Sequence, residues 1–255
     1  MLELLMNEMA RLSLGTIMLL CAIAIIAGFL RGLAGFGSGM LMAGPMALLL
    51  EPTIAVATII ILETCISLPL MKAAKQDVNW SLVKRLLLGA IFIAPFGVLS
   101  LQVLSAKSAG QVISLLVIIA ALALLFGYKR KESSTKVKEI TVGGVSGFFC
   151  GIAGISGPPV VLYLLSWRHN HMEIRATLIY YFGFIDFYVL IVLLIIDDFS
   201  MLPFIIALAC FPFMWFGATL GCKKLASTNP TQYKSWALST IIVGNVISLI
   251  AVLLR

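Results

Sequence analysis

The chain has 255 residues, 61% hydrophobic and 11% charged, with a mean hydropathy of +1.10, whereas soluble domains are roughly 45–50% apolar and 25% charged. That excludes a soluble enzyme. The formal charge of +7 does not indicate nucleic acid either, because most Lys and Arg lie in short connections between apolar runs, where positive-inside orientation accounts for them.

In chain order, uncharged runs cover 12–30, 32–50, 86–106, 108–128, 140–167, 199–222 and 235–254, each near or above the roughly 18 residues expected of a membrane helix. Two more, 52–71 and 176–196, are interrupted only by Glu63 and Asp186. So much of the chain faces lipid or other helices that no extramembrane domain is expected. Any chemistry belongs inside the membrane, and movement of something across it is the natural function. At the start of the chain, Glu3 and Glu8 precede Arg11 with no small-residue cleavage site, so no removable signal peptide is expected.

The segment Gly28-Phe-Leu-Arg-Gly-Leu-Ala-Gly35 recurs 119 residues later as Gly147-Phe-Phe-Cys-Gly-Ile-Ala-Gly154, and Ala57-Thr58 recurs as Ala176-Thr177. The sequence therefore predicts two similar transmembrane repeats, 1–128 and 140–255, joined by a charged cytoplasmic linker, 129–139. Run 140–167 would make a helix of about 42 Å, too long for one crossing of a hydrocarbon core and too short for two. It must break, and the break is written at Gly151-Ile-Ala-Gly-Ile-Ser-Gly-Pro158-Pro159: glycines disfavour helix, proline suits the first turn of a new one, and Ser156 is placed to cap it. The first-half counterpart is Gly32-Leu-Ala-Gly-Phe-Gly-Ser38-Gly39. If each broken segment returns to its own side, each repeat adds three spanning helices and the second is inverted. Fourteen basic residues, Lys131 and Lys224 among them, then fall on the cytoplasmic face, with Asp197 and Asp198 opposite. Run 12–30 is long for a half-helix, which leaves open whether the first broken segment crosses fully.

Broken helices in corresponding positions of two repeats point to a secondary transporter with its site near the midplane. The new helices at 39–50 and 159–167 would each offer free N–H groups and a positive dipole end, an anion site when two converge. The predicted substrate-binding residues are Arg31, Gly35, Gly37, Ser38, Gly39, Gly154, Ser156, Gly157 and Pro158. The same glycines also read as small-xxx-small helix packing. Arg31, costly at membrane depth, could meet an anion or pair with Glu63. Glu63 and Asp186 are candidates for proton coupling, or for structural hydrogen bonds to neighbouring helices. Five cysteines without paired spacing read as small buried hydrophobes. His169-Asn-His171 lies in a charged loop beside Arg175 and is not read as a metal pair, so neither metal nor cofactor is expected. Tyr163, Tyr180 and Tyr181 read as packing residues.

The paired Gly-Phe-x-x-Gly-x-Ala-Gly segments, the Gly-Ile-Ser-Gly-Pro-Pro continuation at 154–159 and the length resemble the sulfite exporter TauE/SafE family of membrane transporters. That resemblance implies ion-gradient-driven transport of sulfite or organosulfonate anions across a bacterial or archaeal inner membrane. The expected partners are a small anion and the bilayer, with homo-oligomerisation left open. A membrane-embedded enzyme, an accessory subunit and a passive anion channel are the competing readings.

Overall fold

The computed structural model describes residues 13–126, 135–165, 171–196 and 201–225, with positions 246 and 250. Lys131, Asp197, the His169 and His171 side chains, most of the linker and nearly all of the last run lie outside the described residues. Within them every regular element is helical: α1 (Leu14–Ala34), α2 (Ser38–Leu49), α3 (Pro52–Ala74) with a 3-10 turn at Lys75–Asp77, α4 (Trp80–Val103), α5 (Ala106–Phe126), α6 (Lys136–Ala153), α7 (Gly157–Leu165), α8 (His171–Ile196) and α9 (Leu202–Leu225). Six of these, α1, α3, α4, α5, α8 and α9, are long and apolar enough to cross a membrane. The all-helical polytopic fold expected from the sequence is the one observed.

Both expected breaks are present. α1 starts at Ser13, whose hydroxyl accepts from the Thr16 amide at 3.1 Å, and stops at Gly35 with φ 78°. α6 starts at Thr135, whose side chain accepts from the Lys138 amide, and stops at Gly154 with φ 67°. A residue with a Cβ is disfavoured in that left-handed region, so glycine ends both helices. α2 restarts after Gly37 (φ 96°) and α7 at Gly157. With 12 residues α2 reaches only about 18 Å, roughly half of a hydrocarbon core, and the described part of α7, 9 residues, covers about 14 Å. The first arm is different: α1 has 21 residues, about 31 Å, long enough to cross fully. That resolves the length of run 12–30 in favour of a core-length helix followed by a half-helix.

The halves interlock. α1 packs along α9 and α6 along α4, while α3 meets α8 at the centre. Each broken helix thus lies against the fourth helix of the other half. These contacts are backbone-close: a Cβ on Gly32 would stand 2.1 Å from the Ala218 carbonyl oxygen, and one on Gly147 2.5 Å from that of Ala90. Helices approach this closely only through small residues. The packing reading therefore holds for Gly28, Gly32, Gly147 and Gly151, whereas Gly35, Gly37 and Gly154 form the breaks. α3 is the most enclosed of the crossing helices, and large apolar side chains such as Phe92, Phe96, Leu208 and Phe216 face outward from α4 and α9, as lipid contact requires.

Candidate functional site

The breaks meet. A Cβ on Gly39, at the start of α2, would stand 2.7 Å from the Gly154 carbonyl oxygen, at the end of α6. Around that contact is a small cavity lined by Arg31, Gly37, Gly39, Glu63, Gly154, Ser156 and Gly157, with Met40, Ile155 and Phe182 completing the wall. Gly35, Ser38 and Pro158, expected with them, are not part of the lining. Its volume is about 10 Å³, near the minimum that holds one water.

Arg31 is 2% exposed, projecting from α1 three residues before its end. Its Nη1 lies 3.2 Å from Glu63 Oε2, and its Nη2 donates to Ser67 Oγ at 2.8 Å. Ser67 in turn donates to the Glu63 carbonyl at 2.7 Å. The guanidinium carbon stands 5.1 Å from the centre of the Phe182 ring, close enough for a cation–π contact. Of the two partners left open for Arg31, the structure supplies Glu63. The pairing is incomplete: Arg31 Nε and Glu63 Oε1 are buried and have no hydrogen-bond partner among the described residues, and the same is true of Ser38 Oγ. An unpaired buried polar atom costs about 1–3 kcal/mol, so the two that belong to lining residues, Arg31 Nε and Glu63 Oε1, leave the cavity with capacity for additional polar contacts.

In the second half, Asp186 on α8 is 2% exposed. Its Oδ1 accepts from Cys150 Sγ at 3.3 Å and from Ser156 Oγ at 3.4 Å, and its Oδ2 has no hydrogen-bond partner among the described residues. Pro158 and Pro159, the second and third residues of α7, carry no N–H for the expected Ser156 cap to bind, and the Ser156 hydroxyl donates to the Asp186 carboxylate instead. The Ser156 carbonyl accepts from Ser146 Oγ, which fixes the break against α6.

Several groups had been read differently from sequence or missed. Arg175 belongs to α8 rather than to a loop, and its Nη2 donates at 2.8 Å to the Gly32 carbonyl; a cation at the C-terminal end of α1 satisfies a carbonyl that the break leaves unpaired. Phe182 was missed, though it occupies the position 119 residues after Glu63, and that offset was the available signal. The tyrosines pack between helices: Tyr180 donates to the Met71 carbonyl at 3.0 Å, Tyr163 to Glu139, and Tyr181 is fully buried. Cys150, read as a small hydrophobe, is a hydrogen-bond donor inside the site.

Residues 20–249 match a family described as sulfite exporter TauE/SafE. Among curated proteins, a "Probable sulfite/organosulfonate exporter TauE" from Cupriavidus necator is 29% identical over 164 residues, covering 60% of this chain and 62% of that protein. The chain thus aligns with less than two thirds of that relative's length. No solved structure matches.

Proposed function

The chain belongs to the sulfite exporter TauE/SafE family, a multi-pass protein of the bacterial inner membrane, and we propose that it is a secondary transporter of small sulfur-containing anions. The reading rests chiefly on one observation: buried polar atoms without partners, Arg31 Nε foremost, converge where two half-helices begin. Amide groups at the first turn of α2, the Gly157 amide at the start of α7, where two prolines follow, and a guanidinium are the donors that a sulfite or sulfonate oxygen accepts from. Of the predicted substrate-binding residues, Arg31, Gly37, Gly39, Gly154, Ser156 and Gly157 line the cavity, with Arg31, Gly39, Ser156 and Gly157 nearest the anion, and Gly35, Ser38 and Pro158 flank them in the two breaks. The name of the Cupriavidus necator relative supports sulfite or organosulfonate as the cargo and export as its direction.

A cavity of about 10 Å³ is too small for an anion of four or more heavy atoms. Transport therefore proceeds through a rearrangement that parts the two breaks. The interlocked packing of α1 on α9 and α6 on α4 gives two bodies, 1–128 and 140–255, that rock about the pseudo-twofold axis of inverted repeats, with 129–139 as their cytoplasmic link. Glu63 and Asp186 couple the movement to protons.

Purified protein in proteoliposomes loaded with sulfite tests the reading. The expected result is saturable sulfite flux that responds to an imposed pH gradient and is lost in Gly157→Leu. Position 157 is the better choice than 154, since a Cβ there meets only the Phe182 ring edge at 3.9 Å, while Gly154 has the left-handed backbone. Flux unchanged in a well-folded Gly157→Leu variant would place the anion elsewhere. Flux without saturation or pH response would indicate a channel.

A further inference from the structure

Among the described residues, Glu63 holds the one basic side chain that lines the cavity. Its Oε2 takes Arg31 Nη1, and its Oε1, buried and without a hydrogen-bond partner among those residues, lies 3.9 Å from where a Cβ of Gly39 would stand. The carboxylate therefore sits against both a guanidinium and the first turn of α2, the two donor groups that the transport reading assigns to the substrate. A carboxylate and a sulfonate present similar oxygen acceptors to such donors.

We propose that Glu63 is a resident competitor for the anion site: its carboxylate occupies the substrate's position on Arg31, and an anion enters only when Glu63 accepts a proton and swings away. This rests on the transport reading and deepens it by linking anion binding to proton uptake. The charges balance. Before exchange, Arg31 carries one positive charge against one negative carboxylate. Afterwards the same guanidinium faces one monovalent anion, and the proton taken from solution resides on the neutral Glu63 carboxyl, so the buried site gains no net charge. Binding a monoanion while Glu63 stayed ionised would place two negative charges against one cation in a medium that solvates neither, which is strongly unfavourable.

Among the described residues, the charged and titratable groups near Glu63 are Arg31 on α1, Asp186 on α8 and Cys150 on α6. Of the other elements that pack on α3, α2 carries none, and α5 and α9 give the Glu63 carboxylate no hydrogen bond or ion pair. Asp186 is the competing proton acceptor, but its carboxylate is engaged by Cys150 and Ser156 on the far side of the break and does not pair with Arg31.

The test is equilibrium binding of methanesulfonate to the purified full-length chain in detergent by calorimetry, with proton uptake followed in weak buffer. Methanesulfonate keeps its single negative charge across the accessible pH range, so any pH dependence belongs to the protein. In the wild type, affinity should rise by up to about tenfold per pH unit on acidification, with about one proton taken up per anion. Glu63→Gln should bind without pH dependence or proton uptake, at least as tightly as the wild type at its acidic limit. pH-independent binding by the wild type overturns the competitor role and leaves the transport site standing. Proton uptake retained in Glu63→Gln, or lost instead in Asp186→Asn, overturns it in the same way. If neither methanesulfonate nor sulfite binds to the wild type or to Glu63→Gln, both the site and this role fail.

Discussion

The two breaks share a backbone and differ in charge. Position by position at the 119-residue offset, Arg31 corresponds to Cys150, Glu63 to Phe182 and Ser67 to Asp186. The same hydrogen bond is kept in both halves across the same separation: Arg31 to Ser67 in the first and Cys150 to Asp186 in the second, 36 residues apart in each case. In the first half the charged member is a cation on the broken helix, and in the second it is a carboxylate on the crossing helix that packs against the break. Both halves retain the left-handed glycine at the break, set by its positive φ, and the small residues behind it, set by backbone contact. The side chains facing the cavity are under no such steric constraint, and there the halves have diverged. The backbone of the breaks recurs, and the electrostatics that would select an anion do not.

Substitution at the packing glycines should have the largest effect. Gly32→Leu or Gly147→Leu forces a side chain into a carbonyl oxygen less than 3 Å from the new Cβ, in a helix pair with no slack. Overpacking costs about 1–3 kcal/mol where a core can adjust, and the backbone contact here should exceed that. The expected outcome is loss of monodisperse protein on size exclusion. Equal effects at Gly32 and Gly147 would support the equivalence of the two interlocked helix pairs, and tolerance at one alone would break it.

Next is removal of the charge that distinguishes the halves. Arg31→Met leaves Glu63 buried and unpaired, which should cost about 3–5 kcal/mol in thermal unfolding. Arg31→Met combined with Glu63→Leu removes both charges and should recover most of that loss while transport stays absent. A double variant as unstable as the single would show that Glu63 is not the group Arg31 neutralises.

A smaller structural effect is expected at the acid of the second half. Asp186→Asn retains an acceptor for Cys150 and Ser156, so stability should fall by no more than about 1–2 kcal/mol, while pH-gradient-driven accumulation in proteoliposomes is lost. Accumulation with the wild-type pH response would make Asp186 structural. The least effect belongs to Cys150→Ser, which keeps a donor at nearly the same place. Melting temperature and flux should both stay close to wild type, and a large loss of flux would assign the thiol a role beyond its hydrogen bond.

The sequence alone determined the membrane-spanning helical class, because charge is too costly in lipid to leave apolar runs of this length ambiguous. It also determined the two breaks, since Gly35 and Gly154 recur in register and helix 140–167 could not fit a bilayer unbroken. Arg31, Glu63 and Asp186 stood out as charges within or beside apolar runs, so the charged part of the candidate site was legible residue by residue. Which glycines pack and which bend was not legible, because Gly28-xxx-Gly32 and Gly35-xxx-Gly39 have the same spacing and only the neighbouring helix distinguishes them. Tertiary structure likewise decided that Arg31 pairs with Glu63, that Ser156 turns to Asp186, that Arg175 closes the end of α1, and that Phe182 walls the cavity. Each of these is a meeting of residues from different helices. Hydrophobic periodicity and turn chemistry act along one segment at a time, whereas the partner of a buried charge depends on how the helices cross.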